Sequence, residues 1–260
     1  IINAAVDGAL REAAFARSEL TLREHTRRYT HHNFFMDMFL MFMMNDNIDK
    51  PIERWEAMFL PDELEEGVRN LEYETPSGGT RKLVGERIIY HEADHRTIPE
   101  KAPAHWPWAL LMGVVLGLGA LAWGEWWRRH RESGSRRAAF GLYNAMVGFL
   151  VGVPGFVLFV MSLVTNHRVT YWNENLLFAN PLTLMIFPLG VALAWGKIWT
   201  VEWMKWLWTA LVATGVLGLV LKVLPAFDQQ NRLPVAFIFP ISIGFAVAYW
   251  WIHRTDVGSW

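Results

Sequence analysis

The chain has 260 residues, a formal net charge of −1, 53% hydrophobic residues and no cysteine. The lack of cysteine excludes disulfides, thiolate nucleophiles, lipidated thiols and thiolate metal sites within this sequence. The near-neutral balance hides two unlike parts: residues 1–107 carry 13 Lys/Arg against 19 Asp/Glu, a net of −6, while residues 108–260 carry 11 against 6, a net of +5.

The leading part has the character of a small α+β domain. Residues 1–16 are alanine-rich and helical in tendency, and Thr21-x-x-Glu24 is a capping-box pattern that starts the next helix. His31 to Met44, HHNFFMDMFLMFMM, is apolar on nearly every side, so it should be buried or lie on a bilayer. At 14 residues it is too short to span comfortably. Its methionines Met36, Met38, Met41, Met43 and Met44 could hold Cu(I) through thioethers, but the interleaved phenylalanines favour a plastic hydrophobic surface. Pro61, followed by Asp62, Glu63, Glu65 and Glu66, begins another helix with proline first and acids near the positive end of the dipole. Pro76-Ser77-Gly78-Gly79 is a turn, and Leu83 to His91 has strand character. Pro99, Pro103 and Pro107 form a stiff lead into the apolar part.

His91-Glu92-Ala93-Asp94-His95 matches the H-E-x-x-H pattern of zinc proteases, whose chemistry requires a helix carrying both histidines on one face. Here it follows the β-branched and aromatic run Ile88-Ile89-Tyr90, so a chance match at a strand end is the stronger reading. His91 and His95 are metal candidates only if His105, His167 or Glu174 folds back as a third ligand. No cofactor is expected.

From Trp108 the sequence becomes a series of membrane-length apolar runs at about 108–127, 141–164, 181–199, 206–224 and 235–252. A 20-residue helix rises about 30 Å, the thickness of a hydrocarbon core. These runs define an α-helical integral membrane protein of about five transmembrane helices (108–260), preceded by an extracytoplasmic α+β domain (1–107). Of 15 tryptophans, 14 lie at or after Trp106, many near run ends, as in an interfacial belt. Between the first two runs, RRHRESGSRR holds five arginines against Glu132. That loop is expected in the cytoplasm, together with Lys197, Lys205 and Arg254, which puts the leading domain outside a bacterial inner membrane and the C-terminus inside. Such a layout needs an export signal or an earlier span, so residues upstream of Ile1 are expected. The arginines sit in a link between spans rather than on a basic face, so no nucleic-acid partner is expected. Glu125 and Lys222, near span ends, can reach water by snorkelling, which leaves a transporter with little support. The loop Thr165–Pro181 is the densest polar cluster of this half, able to recognise a head group or peptide or to satisfy helix ends.

Several blocks carry a resemblance. LREHTRR (Leu22 to Arg28), NIDKPIERWEAMFLPDEL (Asn47 to Leu64) and NHRVTYWNENLLFANPL (Asn166 to Leu182) occur in the order found in the Lnb-type bacterial lipoprotein N-acyltransferases, which this chain resembles over most of residues 20–190. The resemblance implies acyl transfer at the outer face of the inner membrane, by a papain-like cysteine domain that precedes these blocks. The family's cysteine and histidine would lie before Ile1, so no catalytic residue carries over. It leaves His25, Arg28, His167, Asn173 and Asn175 as candidates for contact with lipid or substrate. Membrane lipids, and a lipoprotein substrate or other membrane-complex subunits, are the expected partners. The expected function is thus the membrane portion of an acyltransferase-like protein. The alternatives are a non-catalytic assembly subunit of a larger membrane complex, or a zinc-dependent membrane protease through His91 and His95.

Overall fold

A computed structural model describes residues 1–75, 77–90 and 97–254. The described residues divide into two compact units, Ile1–His32 with Ile48–Ala102, and Asn33–Asn47 with Pro103 onward.

The first unit begins with α1 (Ile2–Ala5) and α2 (Ala9–Ala13). The helical tendency of residues 1–16 is realised in two short pieces, parted where Asp7 and Gly8 take positive φ, 49° and 92°. β1 (Arg17–Thr21) follows and leads directly into α3 (Leu22–Thr30). The capping box forms as expected: Thr21 Oγ1 accepts from the Glu24 amide at 3.2 Å, and Glu24 Oε2 accepts from the Thr21 amide at 2.8 Å. The chain then contributes α4 (Phe34–Met43) to the second unit and returns with β2 (Pro51–Glu53), antiparallel to β1 with Thr21 opposite Pro51. α5 (Arg54–Ala57) and α6 (Pro61–Asn70) come next, the latter with Pro61 in its first turn. Val6, Leu10 and Leu71 form the small core, flanked by Trp55, Met58 and Val68.

A second hairpin pairs β3 (Glu72–Glu74) with β4 (Thr80–Lys82), Tyr73 opposite Arg81. The expected turn is present, closed by the Thr75 amide on the Gly79 carbonyl (2.7 Å), with Gly78 at φ 82°. The strand expected over Leu83 to His91 is not: Leu83–Tyr90 has no ladder partner, and β-branched content alone does not make a strand without an edge to join.

The second unit holds α7 (Trp106–Arg128), α8 (Gly134–Val164), α9 (Pro181–Ala194), α10 (Thr200–Leu221) and α11 (Arg232–Arg254). Four of these, all but α9, are long and apolar enough to cross a membrane. A fifth crossing arises if Arg168–Leu177 and Pro181–Ala194, bent by 55°, form one broken span. The expected third span, 181–199, is cut short after 14 residues, about 21 Å of rise. Gly196, at φ 97°, ends it in a Schellman motif, with the Lys197 amide on Ala192 O and the Gly196 amide on Leu193 O, both 2.9 Å. α10 therefore starts at Thr200 rather than near 206, and Lys205 lies inside a helix instead of a loop. Its ammonium pairs with Glu202 at 2.8 Å and lies about 5 Å from the Trp206 and Trp250 rings. Likewise α8 begins at Gly134, so Arg136 and Arg137 belong to its first turn.

Close backbone approach builds this unit from two tight pairs, α7 with α11 and α8 with α9. Gly117 and Gly244 face each other so closely that a Cβ on Gly244 would run into the Gly117 backbone. A Cβ on Gly152 would lie 2.5 Å from the Leu184 backbone. Helices bathed in lipid gain nothing from hiding apolar surface from one another, so packing at small residues is what holds them. Between the pairs lies an aromatic core in which Trp208 stacks on Phe245 (4.5 Å, 8°) and Phe140 meets Tyr249 at a tilt of 43° (5.3 Å). The one Trp208 donor, Nε1–H, meets Asn144 Oδ1 at 3.2 Å, and Asn144 Nδ2 in turn donates to Phe140 O at 2.8 Å.

Candidate functional site

The first unit contains a cleft of about 550 Å³ whose lining includes Leu10, Ser18, His25, Arg28, Arg54, Met58, Glu63 and Lys101. Local sequence sets its geometry. The capping box fixes where α3 starts, so His25 and Arg28, three apart, share one face. β1 carries Ser18 and Leu20 on its less exposed side, just ahead of that cap. Proline in the first turn of α6 brings Glu63 to a helix N-terminus, where a carboxylate is favoured.

His25 is 1% exposed and sits at the centre of this group. Its Nε2 is 3.0 Å from Ser18 Oγ. Its Nδ1 faces Glu63 Oε1 at 3.6 Å and Arg28 Nη1 at 3.5 Å. Arg28 Nη1 donates to the same Glu63 oxygen at 2.9 Å, and Arg28 Nε to the Pro99 carbonyl at 2.9 Å. Burial lowers the pKa of His25 below its usual 6.5; Glu63 and Glu24 pull it up and Arg28 pushes it down, without reversing the effect of burial. The ring is therefore neutral at pH 7, and with the Arg28 guanidinium donating to Nδ1, its own proton sits on Nε2 and is donated to Ser18 Oγ. Tyr29, next along α3, donates to Asp62 Oδ2 at 3.0 Å. Its phenol is pushed up to about 12, first by burial and then by that hydrogen bond.

In the second unit the asparagine-rich loop closes on α4. Asn173 Nδ2 donates to Phe42 O and Met43 O (3.2 and 3.1 Å), and Asn175 Nδ2 to Phe42 O (2.8 Å), so both amides take up carbonyls at the end of the methionine helix. Asn45 Nδ2 does the reverse, donating to Arg168 O and Tyr171 O (2.9 and 2.7 Å). Glu174 is buried and paired with Lys222, while its Oε1 accepts the Gln229 amide at 3.0 Å. Lys222, whose side chain is partly exposed, also has protein partners: its ammonium is held by Glu174 and by the Gln229 carbonyl at 2.6 Å. Helix α4 itself buries Asp37, beside His105 at 3.2 Å, and Met41, while Phe35, Met36 and Phe39 stay exposed.

The expected candidates thus separate. His25 and Arg28 come together at a cleft. Asn173 and Asn175 are buried in the second unit and committed to backbone carbonyls, whereas His167 is exposed. The metal candidates His91 and His95 lie outside the described residues, and two of their conceivable third ligands are engaged: His105 beside Asp37, Glu174 on Lys222. Among the described residues no group of three or more His, Asp or Glu could hold a metal ion, and the methionines of α4 point to opposite faces. Sequence reasoning missed Ser18 and Glu63. The usable signal for Ser18 is its place three residues before the capping threonine; nothing local ties Glu63 to His25, 38 positions away. No protein-family model, no curated protein and no solved structure matches the chain.

Proposed function

We propose that this chain is the membrane portion of an acyltransferase-like protein that modifies lipoproteins at the outer face of a bacterial inner membrane. Three features support the reading. Membrane-length helices and a cleft holding a neutral histidine occur in one chain. The ordered blocks from Leu22 to Leu182 resemble the Lnb-type lipoprotein N-acyltransferases. The arginines at 128–137 run from the end of α7 to the first turn of α8, where the positive-inside tendency would keep them in the cytoplasm and leave the first unit outside. The observation that carries most weight is the cleft, because it brings His25 and Arg28 of one resembling block against Glu63 of another.

In this reading the thiol comes from a cysteine-bearing segment, as in the family resembled. The exposed Phe35, Met36 and Phe39 of α4 would lie against lipid acyl chains. The full-length gene product, expressed in a strain unable to N-acylate lipoproteins, should add an acyl chain to a reporter lipoprotein's N-terminus, read by mass spectrometry. Replacing the cysteine of such a segment should abolish it. An unmodified N-terminus in cells that accumulate the protein in their membrane contradicts the reading. A second reading, a non-catalytic assembly subunit, is favoured by the absence of any cysteine in the chain, and predicts stoichiometric copurification with other membrane proteins.

A further inference from the structure

We propose that the cleft of the first unit binds a phosphoethanolamine zwitterion, carried on a membrane phospholipid, with the Ser18 hydroxyl donating to its phosphate. Such binding requires neither acyl transfer nor a thiol. The protons around Ser18 point to it. A hydroxyl has one proton to give and two acceptor positions. Both positions are taken. The Leu20 amide donates to Ser18 Oγ at 3.2 Å, and His25 Nε2–H donates to it at 3.0 Å, because Nδ1 of that ring accepts from Arg28. The Ser18 proton must therefore leave in a third direction, and among the described residues no acceptor meets it. Ser18 lines the cleft, so the open direction is the cleft itself. A 1% exposed imidazole and the Leu20 amide hold the oxygen in place, so this donor is set before any ligand arrives.

Charges of both signs surround this donor. Arg54 follows β2 with its amide on the Ala16 carbonyl at 2.9 Å, and Lys101 follows Pro99, whose carbonyl holds Arg28. Both line the cleft, and neither has an ion-pair partner among the described residues. The opposite sign comes from α6, where Glu63, Glu66, Gly67 and Asn70 form the face that lines the cleft. Glu63 is occupied by Arg28 at 2.9 Å. Glu66, one turn on, is unpaired among the described residues, and Glu19 and Glu100 bring further carboxylates. An anion alone would meet these carboxylates, and a cation alone the two basic groups. A ligand with both charges a few bonds apart answers both. Its phosphate accepts from Ser18 Oγ and pairs with Arg54 and Lys101, while its ammonium lies toward Glu66. Leu10, Met58 and Leu71 give the cleft an apolar side. The glycerol and first acyl carbons of a lipid would cover it, whereas a free amino acid would leave it bare.

The test uses the full chain purified in detergent and calorimetric titration with glycerophosphoethanolamine, which is soluble and carries the whole head group. Wild type should bind it. Ser18→Ala should bind about tenfold more weakly, because a hydrogen bond to a charged acceptor is lost. Arg54→Gln and Lys101→Gln, at exposed side chains, should weaken binding too, and they keep the proposal falsifiable if Ser18→Ala misfolds. Glycerophosphoglycerol, which lacks the ammonium, should bind severalfold more weakly than the ethanolamine compound, and Glu66→Gln should narrow that preference. Dihexanoylphosphatidylethanolamine, kept below its micelle concentration, should bind more tightly than the bare head group, because its chains meet Leu10, Met58 and Leu71. Equal affinities would overturn the lipid as the source. Folded wild type that binds no head group at millimolar concentration overturns the proposal, as do titrations left unchanged by both Ser18→Ala and Arg54→Gln. Binding by a wild type that acylates no lipoprotein would sink the acyltransferase reading and leave this one standing.

Discussion

His25 shows how one side chain links burial, charge and pH. Its folded pKa is lowered chiefly by burial, so between that value and the unfolded value near 6.5 the unfolded chain binds the proton more readily. The stability this neutral ring contributes is complete above about pH 6.5 and is lost as pH falls through the folded pKa. Amide hydrogen exchange across α3 should therefore quicken as pH drops below about 6.5, after correction for intrinsic rates, and His25→Gln should flatten that response. Arg28→Gln should raise the His25 pKa, read from ring resonances, because the guanidinium lowers it. Lys222 makes the same argument in the other unit. Lys222→Met would leave Glu174 buried without its cation and should cost roughly 3–5 kcal/mol in detergent unfolding, whereas adding Glu174→Gln should recover much of the loss. Unchanged stability of the single variant would refute the pairing as a structural element.

At the scale of elements, local rules were readable and pairings were not. The Thr21/Glu24 cap, the Pro61 start of α6, the Thr75–Gly79 turn and four of the apolar helices follow from short-range signals, and all are present. Thr21→Ala should cost about 1 kcal/mol and fray the helix that carries His25. The β1–β2 pair was illegible, because Arg17–Thr21 is mostly polar and Pro51–Glu53 is three residues long; each is a strand only by virtue of the other. The third span misled because Trp195, Ile198 and Trp199 extend its apolar composition past the glycine that ends it. Backbone geometry won over hydropathy there. The α8–α9 contact turns on Gly152, where a leucine would force the helices apart. Gly152→Leu should cost at least about 1–3 kcal/mol, measured by unfolding in detergent, and a neutral result would contradict the close approach.

On the scale of the whole molecule, class was legible because a bilayer imposes its thickness on sequence: a helix that crosses it needs about twenty apolar residues in a row, far more than a buried helix of a soluble domain requires. The site was half legible. His25 and Arg28 stood within a block whose resemblance drew attention to them, while Ser18 and Glu63 reach the same histidine only through tertiary folding. Asn173 and Asn175 carried the same resemblance, yet their amides hold the end of α4. A conspicuous polar loop beside apolar helices answers the backbone's demand for hydrogen bonds before it answers a ligand.

Lipoprotein chemistry at the outer surface requires the cleft to face outward while the arginines stay within the cell. The cysteine-free chain makes this directly measurable by single introduced thiols at Ser77, in the first unit, and at Ser135, beside Arg136 and Arg137 in the first turn of α8. In intact spheroplasts a membrane-impermeant maleimide should label Ser77→Cys at once and reach Ser135→Cys only after permeabilisation. Labelling of Ser135→Cys with Ser77→Cys protected would invert the topology and remove the basis for that chemistry.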